Sequence, residues 1–258
     1  MIISTAGKPD ENLNMKAQRA ADELGYPFIK RKKRSIHALQ QEYQTGCLIV
    51  ARDRLELYAL GQEQPFFFHP NSAAFRVKRL LRGEEDPYIA AANLTAGMSV
   101  LDCTLGLASD CIVASLVAGA GGKVTGIEGH PLLAYIVSRG LKEWPAPCKE
   151  LEGAMERIEV ISSPYQEVLR SLPDNSYDVV YFDPMFAETV EQSEGIAGLR
   201  HFALYDHLSK DAVAEAMRVA RKRVVLKDHF RSERFQQLGF QQQVRKTSAF
   251  HFGVIELA

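Results

Sequence analysis

At 258 residues, 46% apolar and 24% charged, the chain suits one large domain, or one standard domain with a smaller companion, and has enough apolar content for a full core. No apolar run approaches the roughly 20 residues of a membrane span, and the start MIISTAGKPDENLN lacks the basic head and long apolar stretch of a secretory leader. Four scattered cysteines, Cys47, Cys103, Cys111 and Cys148, have no close pair at metal-ligand spacing, so a reduced, cytoplasmic protein without disulfides, metal or membrane is expected, its oligomeric state left open.

The net charge of −1 hides an asymmetry. Between Tyr26 and Arg82, eleven Lys and Arg stand against four Asp and Glu, a local net of +7. Such a concentration is either a footprint for a polyanion or a solvated face. In chain order, MIISTA reads as a strand and ENLNMKAQRAADELG as a helix ended by Gly25. The densest basic run, Lys30–Arg34, follows. GCLIVARDRLELYALGQEQPFFFHP alternates enough to predict strands joined by tight turns. NSAAFRVKRLLRGEEDP predicts a helix capped at Asn71 or Ser72 and closed at Gly83. Its Arg76, Arg79 and Arg82 recur at spacing three, which predicts one shared helix face. A short helix from Pro87 to about Leu94 leads onward. These elements are expected to form a small basic α/β domain over residues 1–94, gripping RNA through Lys30–Arg34 and the arginine face.

From Met98 the pattern changes to alternating strands and helices. SVLDCTL, GKVTGIEG, RIEVIS, YDVVYFD and RVVLKD are short and apolar, and plausible helices lie between them at 110–119, 131–143, 164–171 and 206–220. This alternation predicts a doubly wound, mostly parallel α/β sheet over residues 95–258. FQQQVRKTSAFHFGVIEL then reads as two strands and a tight turn, an antiparallel edge to that sheet.

In such sheets ligands lie beyond the carboxyl ends of the strands. There the first strand offers Asp102 and the segment CTLGLASD, the second Glu128, the third Ser162 and Ser163, and the fourth Asp183. Gly106 lets the backbone come close to a ligand, Ser109 or Asp110 would cap the following helix, and Glu128 is placed to accept ribose hydroxyls. Taken singly, these residues are equally readable as helix and turn caps; as an ordered set they describe a nucleotide-type site. The lone Gly106 argues against the glycine-rich turn of a dinucleotide site, and a strand-end aspartate repels pyrophosphate. Both features suit S-adenosylmethionine, which is cationic and carries no phosphate. DPMF, residues 183–186, is similar to the Asp/Asn-Pro-Pro-Tyr/Phe signature of methyltransferases acting on exocyclic amines of nucleobases. Asp183 and the carbonyl of Pro184 would accept the amine N–H bonds, and Phe186 would stack on a flipped base.

From about Ala73 to the C-terminus, VLDCTLGLASDCIVAS, VISS, VVYFDPMF and RVVLKD together resemble the RsmJ-like bacterial family. These are S-adenosylmethionine-dependent methyltransferases of small-subunit ribosomal RNA that act on a guanine N2. The Asp102, Thr104, Gly106 and Asp110 pattern matches the family. By the resemblance, cofactor contacts fall on Ser109, Asp110, Glu128, Gly129, Ser162, Ser163 and Asp183, with Lys227 on the substrate side. The chain departs from the family pattern in three places. LAS stands where the family has a glycine-arginine turn, LLRGEEDP replaces a glycine-rich segment, and the loop after DPMF is the acidic AETVEQSEGIAG, basic charge returning at Arg200. An acidic loop leaves a methyltransferase for a small molecule or protein as the alternative. A non-enzymatic RNA-binding protein would need neither DPMF nor Glu128.

Overall fold

The computed structural model describes residues 1–184 and 208–257. Phe186, Arg200 and the acidic loop 187–198 lie outside the described residues. The chain packs as two units, the first holding residues 1–69 and 135–144 and the second 70–134, 145–184 and 208–257. The boundary therefore lies at His69/Pro70 rather than near residue 94.

In the first unit, β1 (Ile2–Thr5) pairs in parallel with β2 (Cys47–Val50), which pairs antiparallel with β3 (Leu55–Tyr58). All four side chains of β1 and of β2 are buried. Helix α1 (Glu11–Leu24) starts where the Asp10 carboxylate accepts the Leu13 N–H at 2.8 Å and stops at Gly25 in the left-handed region, φ 69°. Its apolar stripe Leu13, Ala17, Ala20, Ala21 faces inward. Helix α2 (Ile36–Tyr43), which the sequence pattern does not single out, is capped by Ser35. The basic run is partly tied into the fold. Arg31 donates to the Thr5 carbonyl at 2.8 Å and Arg34 pairs with Glu42, while Lys30, Lys32 and Lys33 remain exposed.

In the second unit, α3 (Asn71–Leu80) and α4 (Pro87–Ala92) precede β4 (Ser99–Asp102), α5 (Ser109–Ala118), β5 (Lys123–Glu128), α6 (Pro131–Glu143, which runs on into the first unit), α7 (Lys149–Glu156), β6 (Ile158–Ser162), α8 (Tyr165–Ser171), β7 (Tyr177–Phe182), α9 (Lys210–Val219), β8 (Ala220–His229), α10 (Arg234–Gln237), β9 (Gln241–Gln243) and β10 (Phe250–Glu256). The seven strands run β6-β5-β4-β7-β8-β10-β9, parallel through β8 and antiparallel in the last two. The doubly wound sheet with an antiparallel C-terminal hairpin is thus present. Five expected strands and the helices between them form, and α7 is an addition. β4 and β7 are buried along their whole length because helices cover both faces. Successive strands are added to one side from β4 to β6 and to the other from β7 to β8, so the strand order switches between β4 and β7, the point at which such sheets form a crevice at the carboxyl ends.

Two caps differ from expectation. Helix α3 starts after Pro70 with no side-chain cap, and ends at Leu80, so Arg82 lies beyond it. Helix α5 starts after Ala108, held at φ 59° with no side-chain cap, because the Asp110 carboxylate is committed elsewhere.

Candidate functional site

The crevice begins with Asp102 at the end of β4. Its side chain is fully buried: Oδ1 accepts the Thr104 N–H at 2.9 Å and its hydroxyl at 3.2 Å, and Oδ2 accepts the Cys111 thiol at 3.3 Å. Burial pushes its pKa up to about 7, against the Thr104 backbone bond, which lowers it. Asp102 therefore organises the loop. Thr104 passes that order on, since its hydroxyl also accepts the Asp183 N–H at 2.6 Å, tying the ends of β4 and β7 together.

Past Thr104, Leu105 donates to the Ile127 carbonyl at 2.9 Å, and Gly106 turns the chain at φ 50°. A Cβ at Gly106 would meet nothing nearer than the Thr104 carbonyl at 3.9 Å, so the backbone there faces open space. Leu105 is seated over Gly126 in β5, where a Cβ would overlap Leu105 Cδ1 and lie 3.1 Å from Cys111 Sγ. Glu128 ends β5 and accepts the His130 N–H at 2.9 Å. Burial raises its pKa, opposed by the backbone N–H groups of His130, Gly106 and Gly129. With up to four acceptor sites, the carboxylate still has capacity for a hydroxyl. Opposite Glu128 in the ladder lies Ser162, exposed, and Ser163 donates its N–H to the Glu128 carbonyl at 3.1 Å. Ser163 Oγ lies 3.5 Å from Glu167. Gly106, Gly129, Glu128, Ser162 and Ser163 thus gather at one edge, and Ser109 opens α5 beside them.

The other flank is an alternating chain of charge. Arg76 donates to Asp86 through Nε at 2.7 Å and Nη2 at 2.9 Å, and to Asp110 through Nη1 at 2.5 Å. Asp110 Oδ2 accepts the Tyr181 hydroxyl at 3.0 Å and lies 3.6 Å from the Lys227 ammonium, which donates to Asp183 Oδ2 at 2.6 Å. Burial would raise Asp110, but Lys227 and Arg76 hold it down to about 2. Asp183 is raised by burial and by Asp110, with Lys227 working the other way. Burial disfavours the Lys227 ammonium, yet Asp183 and Asp110 together raise its pKa. Asp183 Oδ1 is buried and has no hydrogen-bond partner among the described residues. Three carboxylates, Asp86, Asp110 and Asp183, face two cations, Arg76 and Lys227, which leaves one unbalanced negative charge.

Sequence spacing misplaced Arg76. Its side chain is only 19% exposed and spent on two aspartates, so it does not belong to an RNA-facing surface with Arg79 and Arg82. Arg79 pairs with the exposed Glu84 at 2.7 Å, and Arg82 is exposed beyond the helix. Tyr88 and Tyr181 were missed. Their buried rings lie 4.4 Å apart under the charge chain, and the Tyr88 hydroxyl has no partner among the described residues. Tyr181 was readable in principle: it precedes Asp183 by two in a strand and so shares its face. Pro184, buried, completes the described part of DPMF.

Against known proteins, the family model for SAM-dependent methyltransferases matches residues 31–251. The chain belongs to that family. It is 47% identical over 255 residues to the uncharacterized protein YpiP of Bacillus subtilis, covering 99% of each chain. It is 34% identical over 200 residues to ribosomal RNA small subunit methyltransferase J of Tolumonas auensis, covering 73% of this chain and 78% of that protein. The Legionella pneumophila (strain Lens) protein of the same name is 27% identical over 231 residues, with 87% and 86% covered. In fold the chain is similar to the SAM-dependent methyltransferase NGO1261 from Neisseria gonorrhoeae, with TM-score 0.66 at 21% identity, covering 99% and 96% of the two chains. S-adenosylmethionine is therefore the cofactor. The residues fit it: bare backbone at Gly106, a carboxylate at Glu128, and excess negative charge for a cation. Among the described residues no helix is long and apolar enough to cross a membrane, and no group of three His, Cys, Asp or Glu could hold a metal ion.

Proposed function

We propose that this methyltransferase modifies an exocyclic amine of RNA, guanine N2 of small-subunit ribosomal RNA being the target named by the resemblance. The observation that carries the reading is Asp183: one carboxylate oxygen is held by Lys227, and the other is buried at the crevice without a partner among the described residues. An exocyclic amine is a weak nucleophile because its lone pair is delocalised into the ring. Asp183 Oδ1 and the Pro184 carbonyl accept its two N–H bonds, orient the nitrogen and offset the positive charge that grows on it. Bound S-adenosylmethionine supplies an electrophilic methyl group on a sulfonium. Glu128 would hold a ribose hydroxyl, while Gly106, Gly129, Ser109, Ser162 and Ser163 would line the cofactor side. Lys227 spans Asp110 and Asp183 and works against the burial that raises the Asp183 pKa, so its part is positioning. Asp102 and Thr104 fix the distance between the two strand ends, on which in-line geometry depends. Arg79, Arg82, Lys30, Lys32 and Lys33 remain as candidate phosphate contacts, and Phe186 as the base-stacking ring.

Support for RNA as the substrate comes from the basic surface and from relatives named for ribosomal RNA. The acidic segment 187–198 favours a small-molecule or protein amine as the second reading. Mass spectrometry of modified nucleosides in ribosomal RNA from cells with and without the gene separates the two. Loss of one N-methylated guanosine upholds the RNA reading; an unchanged nucleoside profile favours the second.

A further inference from the structure

We propose that the turn after β8, with the facing end of the β9–β10 hairpin, is a docking surface for the single-stranded RNA that flanks the target base. The proposal rests on the RNA reading above. β8 carries Lys227 into the crevice, and the next residues continue along the same sheet edge. Asp228 is buried and spent on Arg234 at 2.6 Å and on the Ser232 hydroxyl at 2.5 Å. Phe230, by contrast, is 39% exposed, with the His229 ring 4.6 Å away and the Arg231 guanidinium 5.0 Å over its face.

The shelf is built rather than loose. Phe230 donates its N–H to the Ala249 carbonyl at 3.0 Å, His229 pairs in register with Phe250, and the Phe230 ring lies 5.9 Å from that of His251. His251 in turn is bonded to the backbone of Arg245 and the amide of Gln242. Val244, 75% exposed, and exposed Lys246 stand on the hairpin beside Arg245. Among the described residues no carboxylate forms an ion pair with Arg231, Arg245 or Lys246. An exposed ring under a guanidinium, with Arg245 and Lys246 on the facing hairpin turn, is the chemistry that takes unpaired bases on their faces and phosphates at their edges. A duplex hides its base faces and fits the ring poorly.

The test measures binding of a labelled single-stranded RNA of mixed sequence, about a dozen nucleotides long, to the whole chain and to two variants: Phe230→Ala, and Arg231→Gln combined with Lys246→Gln. Neither touches Asp183, Lys227 or the cofactor residues. Stacking of one base predicts about tenfold weaker binding for Phe230→Ala. The charge variant is expected to bind several-fold more weakly at low salt and to converge with the native protein as salt rises. Affinity for S-adenosylmethionine by calorimetry is expected to stay unchanged in both. Native RNA binding that both variants retain in full overturns this surface and leaves the RNA reading standing. A native protein that binds S-adenosylmethionine but no RNA overturns both. Competition by an acidic peptide as effective as by RNA also overturns the surface, by making it a protein dock.

Discussion

Replacing Arg76 by methionine tests whether the charge chain is structural. The substitution keeps the aliphatic volume and deletes three hydrogen bonds, two to Asp86 and one to Asp110, whose side chains are 5% and 11% exposed. Breaking a buried pair by removing one partner costs about 3–5 kcal/mol, because the orphaned charge stays buried. Asp110 gives a partial check. Held at about 2 against an ordinary 3.8, it represents roughly 2 kcal/mol of stabilisation shared between Arg76 and Lys227. Asp86 adds its own loss, since it also caps α4 through the Tyr88 and Ile89 N–H groups. We expect Arg76→Met to lose about 3–4 kcal/mol in urea unfolding at pH 7. The sign of the pH dependence follows. A depressed carboxylate stabilises the fold above its unfolded pKa, and that stabilisation is lost as pH falls from about 3.8 towards about 2. The gap between native and variant should therefore narrow across that window. Arg76→Lys should recover only part of the loss, since an ammonium cannot span both aspartates as the guanidinium fork does. A variant within 1 kcal/mol of native that instead binds RNA poorly would refute this and return Arg76 to the surface.

Asp183→Asn keeps shape and one acceptor but removes the charge beside the reacting nitrogen; turnover should fall on the order of 10²–10³ by methyl-transfer assay, read at a temperature where calorimetry shows the variant folded, because Lys227 then keeps Asp110 alone as its counter-charge. Native turnover in that variant would remove Asp183 from the mechanism. Glu128→Ala should weaken S-adenosylmethionine binding by roughly 1.5–3 kcal/mol in calorimetry, about ten- to a hundredfold. Tyr88→Phe should raise stability, by about 1 kcal/mol, because a buried hydroxyl without a partner among the described residues is a cost that phenylalanine does not carry; a clear loss on denaturant unfolding would reveal a partner for that hydroxyl.

Much of the sheet was legible because its signals are local. Period, strand length and the polar residue ending each strand located β4 to β8 and brought Asp102, Glu128, Ser162 and Asp183 to one edge. The Lys227–Asp183 pair also follows from parallel register, since Phe182 lies opposite Leu226 and the next residues meet. Arg76 was misread because a spacing of three says which side chains are neighbours, not which way they face. The apolar residues decide that, and Ala73 and Val77, both buried, flank Arg76 on the inward side of α3. An arginine inside that stripe needs carboxylates, and its partners Asp86 and Asp110 lie 10 and 34 residues away in sequence. The unit boundary was misplaced for the same reason. α3 and α4 are short helices whose partners, α5, β8 and β10, come later in the chain.

Gly126 couples two positions that sequence distance keeps apart. Any side chain there must displace Leu105, and Leu105 sits between Thr104 and Gly106. Volume at 126 is therefore exchanged against volume at 105: alanine at the first is tolerable only with a smaller residue at the second. Among diverging descendants the two sites should change together or not at all. The same pair offers an engineer a handle for moving the cofactor loop without touching any residue that contacts the ligand.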